Sequence, residues 1–409
     1  MAHLPEAFVD STRRLMGAER FERYLRSFDE SAPVSIRLNP LKSMGLEVVG
    51  GEAVPWCRGG YYLSQRPAFT MDPLLHAGCY YVQEAASMFL DEILRQQGPS
   101  VNGPLVNGQF LDLCAAPGGK STLLRTALPA GCVLYSNEPV RQRASILAEN
   151  VSKWGWPNHI VTNNYPRDYR KAGLRFDIIL CDVPCSGEGM FRKDPATIGE
   201  WSPQQVEKCW PLQREIVADA WACLDAGGLF IYSTCTFNTK ENEENVRYFL
   251  DQYGAELVPV AVRPEWNITG SLLQGFDQPV YRFIPGTTCS EGLFMAVLRK
   301  SGQRSAARGQ RNAKRQPASA LTILSPLQEL RSPLQVPLTY PQAISYLRGE
   351  ALVLPPDTPR GIVAVTFMGR TLGQVKNIGP RANNLYPKPW RIKTTHTPDI
   401  YASILQEKT

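Results

Sequence analysis

The sequence is poor in histidine, with four in 409 residues (His3, His76, His159, His396). Its ten cysteines are scattered and form no Cys-x-x-Cys pair. A zinc site of the usual spacing is therefore not expected. No apolar run approaches the length of a membrane span. The opening stretch MAHLPEAFVDSTRRL mixes polar and apolar residues with acids early, unlike a secretory signal. A cytoplasmic location is expected, where disulfides are rare and most of the cysteines read as small buried hydrophobes. Charge of one sign is also scarce. The formal net charge is +6, and residues 300–317 alone, KSGQRSAARGQRNAKRQP, hold six basic residues and no acid. That stretch suits a solvated hinge or a contact with a polyanion.

What is present is 43% hydrophobic, enough for two or three domains with full cores. Residues 1–104 read as an α+β unit: a helix over about 5–27, a short strand and turn at SIRLNPLK (35–42), and a helix at YYVQEAASMFLDEIL (80–94). Residues 105–299 alternate strand and helix signals. The strands are QFLDLC (109–114), CVLYSN (132–137), HIVTNN (159–164), FDIILCD (176–182) and GLFIYSTC (228–235). Helices are expected at KSTLLRTAL (120–128), from Pro139, from near Pro203 to Gly227-Gly228, and from Asn238 with Glu241 as its capping-box partner. This alternation predicts an α/β fold, a doubly wound parallel sheet with ligands at the carboxyl ends of its strands. Residues 300–318 form a basic flexible linker, and 319–409 a small C-terminal unit rich in proline and short β-like runs such as GIVAVTF (361–367).

LDLCAAPGGKST (111–122) invites a phosphate-loop reading, but Cys114 stands where the first glycine of that loop is needed. The dinucleotide fingerprint G-x-G-x-x-G is absent as well. What remains is a strand, Asp112, a small-residue turn and a helix, with Glu138 closing the next strand. Small residues let backbone approach a ligand, and an acid after the second strand can accept ribose hydroxyls. The pattern suits an adenosine-bearing cofactor without phosphates, such as S-adenosyl-L-methionine.

In a doubly wound sheet the first and fourth strands are neighbours, which brings Asp182, Cys185 and Cys235 together beside the cofactor turn. A thiolate added to C6 of a pyrimidine turns C5 into a nucleophile, and loss of the C5 proton later expels the thiolate. An acid on the N3/N4 edge of cytosine stabilises the charge that builds there, a role open to Asp182. No histidine lies in these motifs, which disfavours a Cys–His pair. Placement at strand ends does not choose between the two cysteines.

LDLCAAPGGKS, CDVPCSGEGMFRKDP (181–195) and YSTCTFNTKENEENV (232–246) resemble the motifs of the RNA 5-methylcytosine methyltransferases, the NOL1/NOP2/Sun family. SIRLNPLK and YYVQEAAS are similar to its N-terminal motifs, and KNIGPRANNLYPKPWRIK (376–393) to the tail of the bacterial ribosomal-RNA branch typified by RsmF. The resemblance implies a Rossmann-like methyltransferase sheet between an N-terminal RNA-recognition unit and a C-terminal PUA-like RNA-binding domain. It makes Cys235 the nucleophile and gives Cys185 a part in releasing the methylated product. Asp182 contacts cofactor or target base, and Lys193, in the FRKDP segment, orients the base or lowers a thiol pKa. Cys114, Ala115, Ala116, Pro117, Gly118, Gly119, Lys120 and Glu138 hold the cofactor. The place near the adenine often filled by an acid falls on Asn164 or Tyr165, where Asn164 can still hydrogen-bond. Val183 and Thr236 replace a usual Ala and Ser, and TTCSEGLF (287–294) lacks a histidine often found nearby.

The implied partner is RNA, 16S ribosomal RNA in the small subunit. A tRNA substrate, or a non-catalytic role in ribosome assembly, stands as the alternative. No membrane partner is expected, and nothing suggests a dimer. Tyr386 and Trp390, amid basic residues 381–393, suit either base stacking or packing of a small domain. The target cytosine has to leave its stack to reach a cysteine.

Overall fold

The computed structural model describes residues 3–98, 107–302, 321–324, 334–396, 401 and 403–408. Most of the 300–318 linker lies outside the described residues.

Among the described residues the central sheet has nine strands. Five are parallel: β1 (Gln109–Asp112), β2 (Val133–Asn137), β3 (His159–Thr162), β4 (Phe176–Asp182) and β5 (Leu224–Thr234). Their spatial order is β5-β4-β1-β2-β3, so the chain reverses direction across the sheet between β1 and β4. β6 (Leu293–Arg299) runs antiparallel beside β5. Successive residues of a strand point to opposite faces. Phe110, Leu134, Ile178 and Ile231 feed one core, while Leu111, Tyr135, Ile179 and Tyr232 feed the other. Both faces are thus covered, as a parallel sheet requires. The crossover helices include α1 (Gly119–Ala127), α2 (Arg141–Trp154) and α3 (Pro203–Cys223), and α4 (Glu243–Tyr253) follows β5.

Several elements differ from the sequence reading. The first helix is two helices, Glu6–Met16 and Ala18–Arg26, because Gly17 takes φ +75°, ψ 161° between them. That break turns Phe8, Phe21 and Tyr24 into one buried cluster. Tyr80–Val82 is a strand paired with Ile36–Leu38, as its aromatic and β-branched residues favour, and the helix begins only at Phe89. α2 starts at Arg141 rather than Pro139, since the Glu138 carboxylate captures the Val140 N–H at 2.9 Å. Asn238 and Glu241 do bond each other (2.7 Å), yet Asn242 at φ −108°, ψ −103° delays α4 to Glu243. Ile323–Leu324, placed by the sequence reading at the start of the C-terminal unit, pairs with β3 at the edge of the central sheet.

The C-terminal four-stranded sheet (Gln335–Pro337, Gly361–Phe367, Arg370–Asn377, Ala382–Asn384) and the helix Tyr340–Arg348 share a hydrophobic cluster with the N-terminal unit. Ile36, Leu74 and Tyr80 meet Ile344, Val365 and Leu405 there. Tyr386 is buried in the same cluster, so packing, not base stacking, accounts for it. Trp390 is half-buried against Tyr386, beneath the Lys153 ammonium. Asp72 ties the units together by accepting bonds from Leu74 N (2.8 Å), Tyr80 Oη (2.7 Å) and Tyr401 Oη (2.9 Å). Removing a buried acceptor strands its donors. Asp72→Ala should therefore lower the unfolding free energy of the full chain by about 2 kcal/mol and Tyr401→Phe by about 1 kcal/mol in urea melts.

Candidate active site

β4 and β5 end side by side. Ser233 lies opposite Asp182, and the Val183 N–H donates to Ser233 O at 3.1 Å. The two chains then turn toward each other, bringing Cys185 Sγ within 3.2 Å of Cys235 Sγ. The Cys235 N–H donates to Cys185 Sγ (3.3 Å), and the Gly189 N–H donates to Cys235 O (2.9 Å). Both cysteines are partly exposed and neither is cross-linked. The hydrogen bond to the Cys235 sulfur, with burial behind it, drives the Cys185 thiol pKa well up. The two sulfurs share one hydrogen bond, with either able to donate.

Asp182 sits at the tip of β4. Its Oδ2 accepts from Lys120 Nζ at 2.8 Å and its Oδ1 from Ser233 Oγ at 2.6 Å. Burial works to lower the Lys120 pKa, but the Asp182 carboxylate, with help from Cys235, carries it above the ordinary value. Beside them, Asp112 is fully buried; its Oδ2 accepts from Ser121 Oγ (2.5 Å), while Oδ1 has no partner. Burial pushes its pKa up to about 7.

The sequence reading missed the frame behind the sulfurs. Glu188 is buried and accepts from the N–H groups of Phe237 and Asn238 (2.8 Å each) and from Trp201 Nε1 (3.1 Å). It thereby ties the loop after Cys185 to the loop after Cys235. Glu241, also buried, accepts from the Ser186 N–H (3.0 Å), Gln213 Nε2 (2.7 Å) and Asn238 Nδ2 (2.7 Å). Ser186 Oγ and Thr236 Oγ1 share a bond at 2.8 Å. Gly189 and Gly292 touch backbone to backbone: a Cβ on Gly292 would lie 2.4 Å from Gly189 Cα and 2.6 Å from Phe237 Cζ. Glu188 and Glu241 stood inside quoted motifs, but their spacing gave no sign that buried carboxylates would join the two loops.

The turn after β1 is held by hydrogen bonds from neighbouring strand ends and helices. The Ala115 N–H donates to Asn137 O (2.8 Å), Asn150 Nδ2 to Pro117 O (2.8 Å), and Arg143 Nη2 to Ala116 O (3.2 Å). Gly118 caps α1 at φ +116°, where an added Cβ would meet Leu147 Cδ1 at 3.2 Å. Glu138 is buried, paired at 3.2 Å with the exposed arm of Arg143. The unpartnered Asp112 Oδ1 and the Glu138 carboxylate offer two acceptors, as a ligand carrying an ammonium group and ribose hydroxyls requires. These residues fit S-adenosyl-L-methionine. Asn137, which no motif singled out, stitches the strand ends by donating to Leu113 O and Asn164 O and accepting from the Asn164 N–H. The structure puts Asn164 to a different use: its side chain donates to Thr322 O (3.1 Å) and accepts from Thr322 N (3.0 Å), holding the edge strand. Tyr165 is exposed. Lys193 is exposed too, and its charge draws on the Glu84 carboxyl. The cation whose charge falls beside Cys235 is Lys120, grouped in the sequence reading with the cofactor turn.

Two outcomes follow from this geometry. Gly292→Ala should destabilise the chain by about 2 kcal/mol in urea melts, because the clash is with backbone. Asp112 binds a proton in the folded chain that the unfolded chain has lost, so folding takes up a proton between about pH 4 and pH 7. Its contribution to stability falls as pH rises through that window and levels off above it. Asp112→Asn should remove this slope, so that the variant gains on the parent between melts at pH 5 and pH 8.

The chain resembles known proteins along most of its length. The family described as 16S rRNA methyltransferase RsmB/F matches residues 102–299. The N-terminal domain of 16S rRNA methyltransferase RsmF matches residues 4–85, and the methyltransferase RsmF PUA domain matches residues 333–392. Ribosomal RNA small subunit methyltransferase F of Pectobacterium atrosepticum is 32% identical over 322 residues, covering 74% of this chain and 63% of that protein. Its namesake from Escherichia coli O157:H7 is 31% identical over 318 residues, covering 73% and 64%. The chain thus spans just under two thirds of the length of the curated relatives it matches. Among solved structures, a methyltransferase homolog protein from Pyrococcus horikoshii aligns with TM-score 0.58 at 25% identity, covering 73% of this chain and all (100%) of that one. NSun6 from Pyrococcus horikoshii with SFG aligns with TM-score 0.58 at 20% identity, covering 73% and 99%, a likeness of fold. Its N-terminal, central and C-terminal parts are thus matched in chain order by the RsmF N-terminal domain, the RsmB/F methyltransferase family and the RsmF PUA domain, the make-up of an RsmF-type methyltransferase.

Proposed function

We propose that this chain methylates C5 of a cytosine in RNA, 16S ribosomal RNA of the small subunit, through a covalent bond between Cys235 and C6 of the base. The observation that carries the reading is the pair of sulfurs 3.2 Å apart at adjacent strand ends, with the Lys120–Asp182 ion pair alongside. In this reading Cys235 attacks as its thiolate, and the sulfur adds to C6. Asp182 meets the N3/N4 edge of the ring as charge builds there. When bound, S-adenosyl-L-methionine supplies the methyl group to C5, and residues 114–120, Asp112 and Glu138 hold it. The C5 proton then leaves to a base at the site and its electron pair re-forms the C5–C6 double bond. The C6–S bond breaks, its pair returning to Cys235. Cys185, beside it, acts in this release. Asn164 supports the cofactor's adenine side through the edge strand, and Lys193 contacts RNA from the surface.

The N-terminal unit (1–104) and the C-terminal PUA-like domain (319–409) flank the catalytic domain (105–299) and bind RNA with the basic linker (300–318). The enzyme works in the cytoplasm as a monomer; no helix among the described residues is long and apolar enough to cross a membrane.

Bisulfite sequencing of total RNA from cells with and without the gene tests the reading. Loss of a 5-methylcytosine in 16S rRNA is expected. An unchanged map would sink the proposal, and loss from tRNA alone would move the substrate. With purified protein, Cys235→Ala should abolish methyl transfer, and Cys185→Ala should leave an RNA–protein adduct that survives denaturing gels. The reverse pattern would exchange the two roles.

A further inference from the structure

Gln213 has no part in the chemistry above, yet it sits directly behind Cys185. It comes from α3, is fully buried, and uses every bond its amide can make. Nε2 donates to Pro184 O (2.9 Å) and to Glu241 Oε2 (2.7 Å). Oε1 accepts from Tyr232 Oη (3.0 Å) and Asn245 Nδ2 (2.8 Å). Glu241 Oε2 in turn takes the Ser186 N–H. The residues on both sides of Cys185 are therefore held by one Gln213–Glu241 pair. Cys235 shares with this side its N–H bond to Cys185 Sγ (3.3 Å), but it is also held independently, by the β4–β5 register, by Gly189 N on its carbonyl, and by Thr234 Oγ1 on Asn242 (2.6 Å).

We infer that Gln213 is a positioning residue for the release step: it fixes Cys185 against Cys235 without touching the base. The inference rests on the cysteine chemistry proposed above. Loosening Gln213 lets the Cys185 sulfur drift and leaves the attacking sulfur in place. Adduct formation and release are then affected unequally.

The test uses the full-length protein, radiolabelled unmethylated 16S rRNA transcript and S-adenosyl-L-methionine. Gln213→Leu should transfer its first methyl group within about 3-fold of the parent rate. It should release the adduct roughly 10- to 100-fold more slowly, as small misplacements of a reacting group do. Adduct then accumulates on denaturing gels. Gln213→Glu puts a second carboxyl beside Glu241, able to donate only when protonated. Its release defect should shrink as pH falls from 8 to 6. A folded Gln213→Leu variant that releases normally overturns the inference, as does one in which transfer and release fall in equal proportion. If Cys185→Ala itself traps no adduct, the underlying reading fails first and the inference falls with it.

Discussion

The register in which β5 lies beside β4 is the constraint on which the site depends. Leu224 faces Phe176, but Leu229 already faces Ile178, so the residues between them are taken up in a bulge. Gly227 at φ +70° allows that bulge, and Gly228 fits it because a Cβ there would lie 2.8 Å from Asp225 O and 3.0 Å from Asp177 O. Past the bulge the pairing runs unbroken to Ser233 opposite Asp182. A slip of one residue would turn every β5 side chain to the other face. Ser233 would lose Asp182, and the turn that follows would carry Cys235 away from Cys185.

Around that register the protein spends its buried polar groups on holding loops in place. Glu188, Glu241 and the Arg192–Glu291 pair are each buried and each join segments distant in sequence. Buried carboxylates are stable only when their lone pairs are met; here backbone N–H groups help meet those of Glu188 and Glu241, and the Arg192 guanidinium those of Glu291. The N-terminal helices close the arrangement from outside. Phe8 packs on Phe191 (4.9 Å) and Trp201 (5.6 Å), and Tyr24 on Phe237 (5.4 Å), so one aromatic cluster buttresses the loops after both cysteines. On the cofactor side Arg37 reaches across from the same unit to Thr122 Oγ1 (2.6 Å) and Gly119 O (3.3 Å).

The sheet and the strand-end residues were legible because they rest on local patterns: apolar runs, small-residue turns, and acids or cysteines where runs stop. Asp182, Cys185, Cys235 and Glu138 lie at such ends. Tyr80–Val82 and the break at Gly17 were misread because long-range pairing and tertiary packing outweighed a local helical pattern. The task of Lys120 was hidden because a side chain from the cofactor turn crosses to another strand's carboxylate. Gln213 did leave a trace. It interrupts the buried stripe Val206, Cys209, Val217, Ala220 on α3, where a helix facing a core has little use for an amide. Asn164 shows the opposite: a polar residue at a ligand-bearing strand end that turned out to hold backbone.

The strand pair that joins Leu46–Val48 to Leu405–Glu407 bears on how the chain comes to be folded. Gln406 and Glu47, bonded across it, are 359 residues apart in sequence. Leu405 is also fully buried in the cluster that the N-terminal unit shares with the C-terminal sheet. During synthesis the central sheet can close on contacts made within its own residues, whereas this strand of the N-terminal unit waits for partners 359 residues farther along the chain. The central sheet is thus poised to form first, and the two flanking units mature together around it.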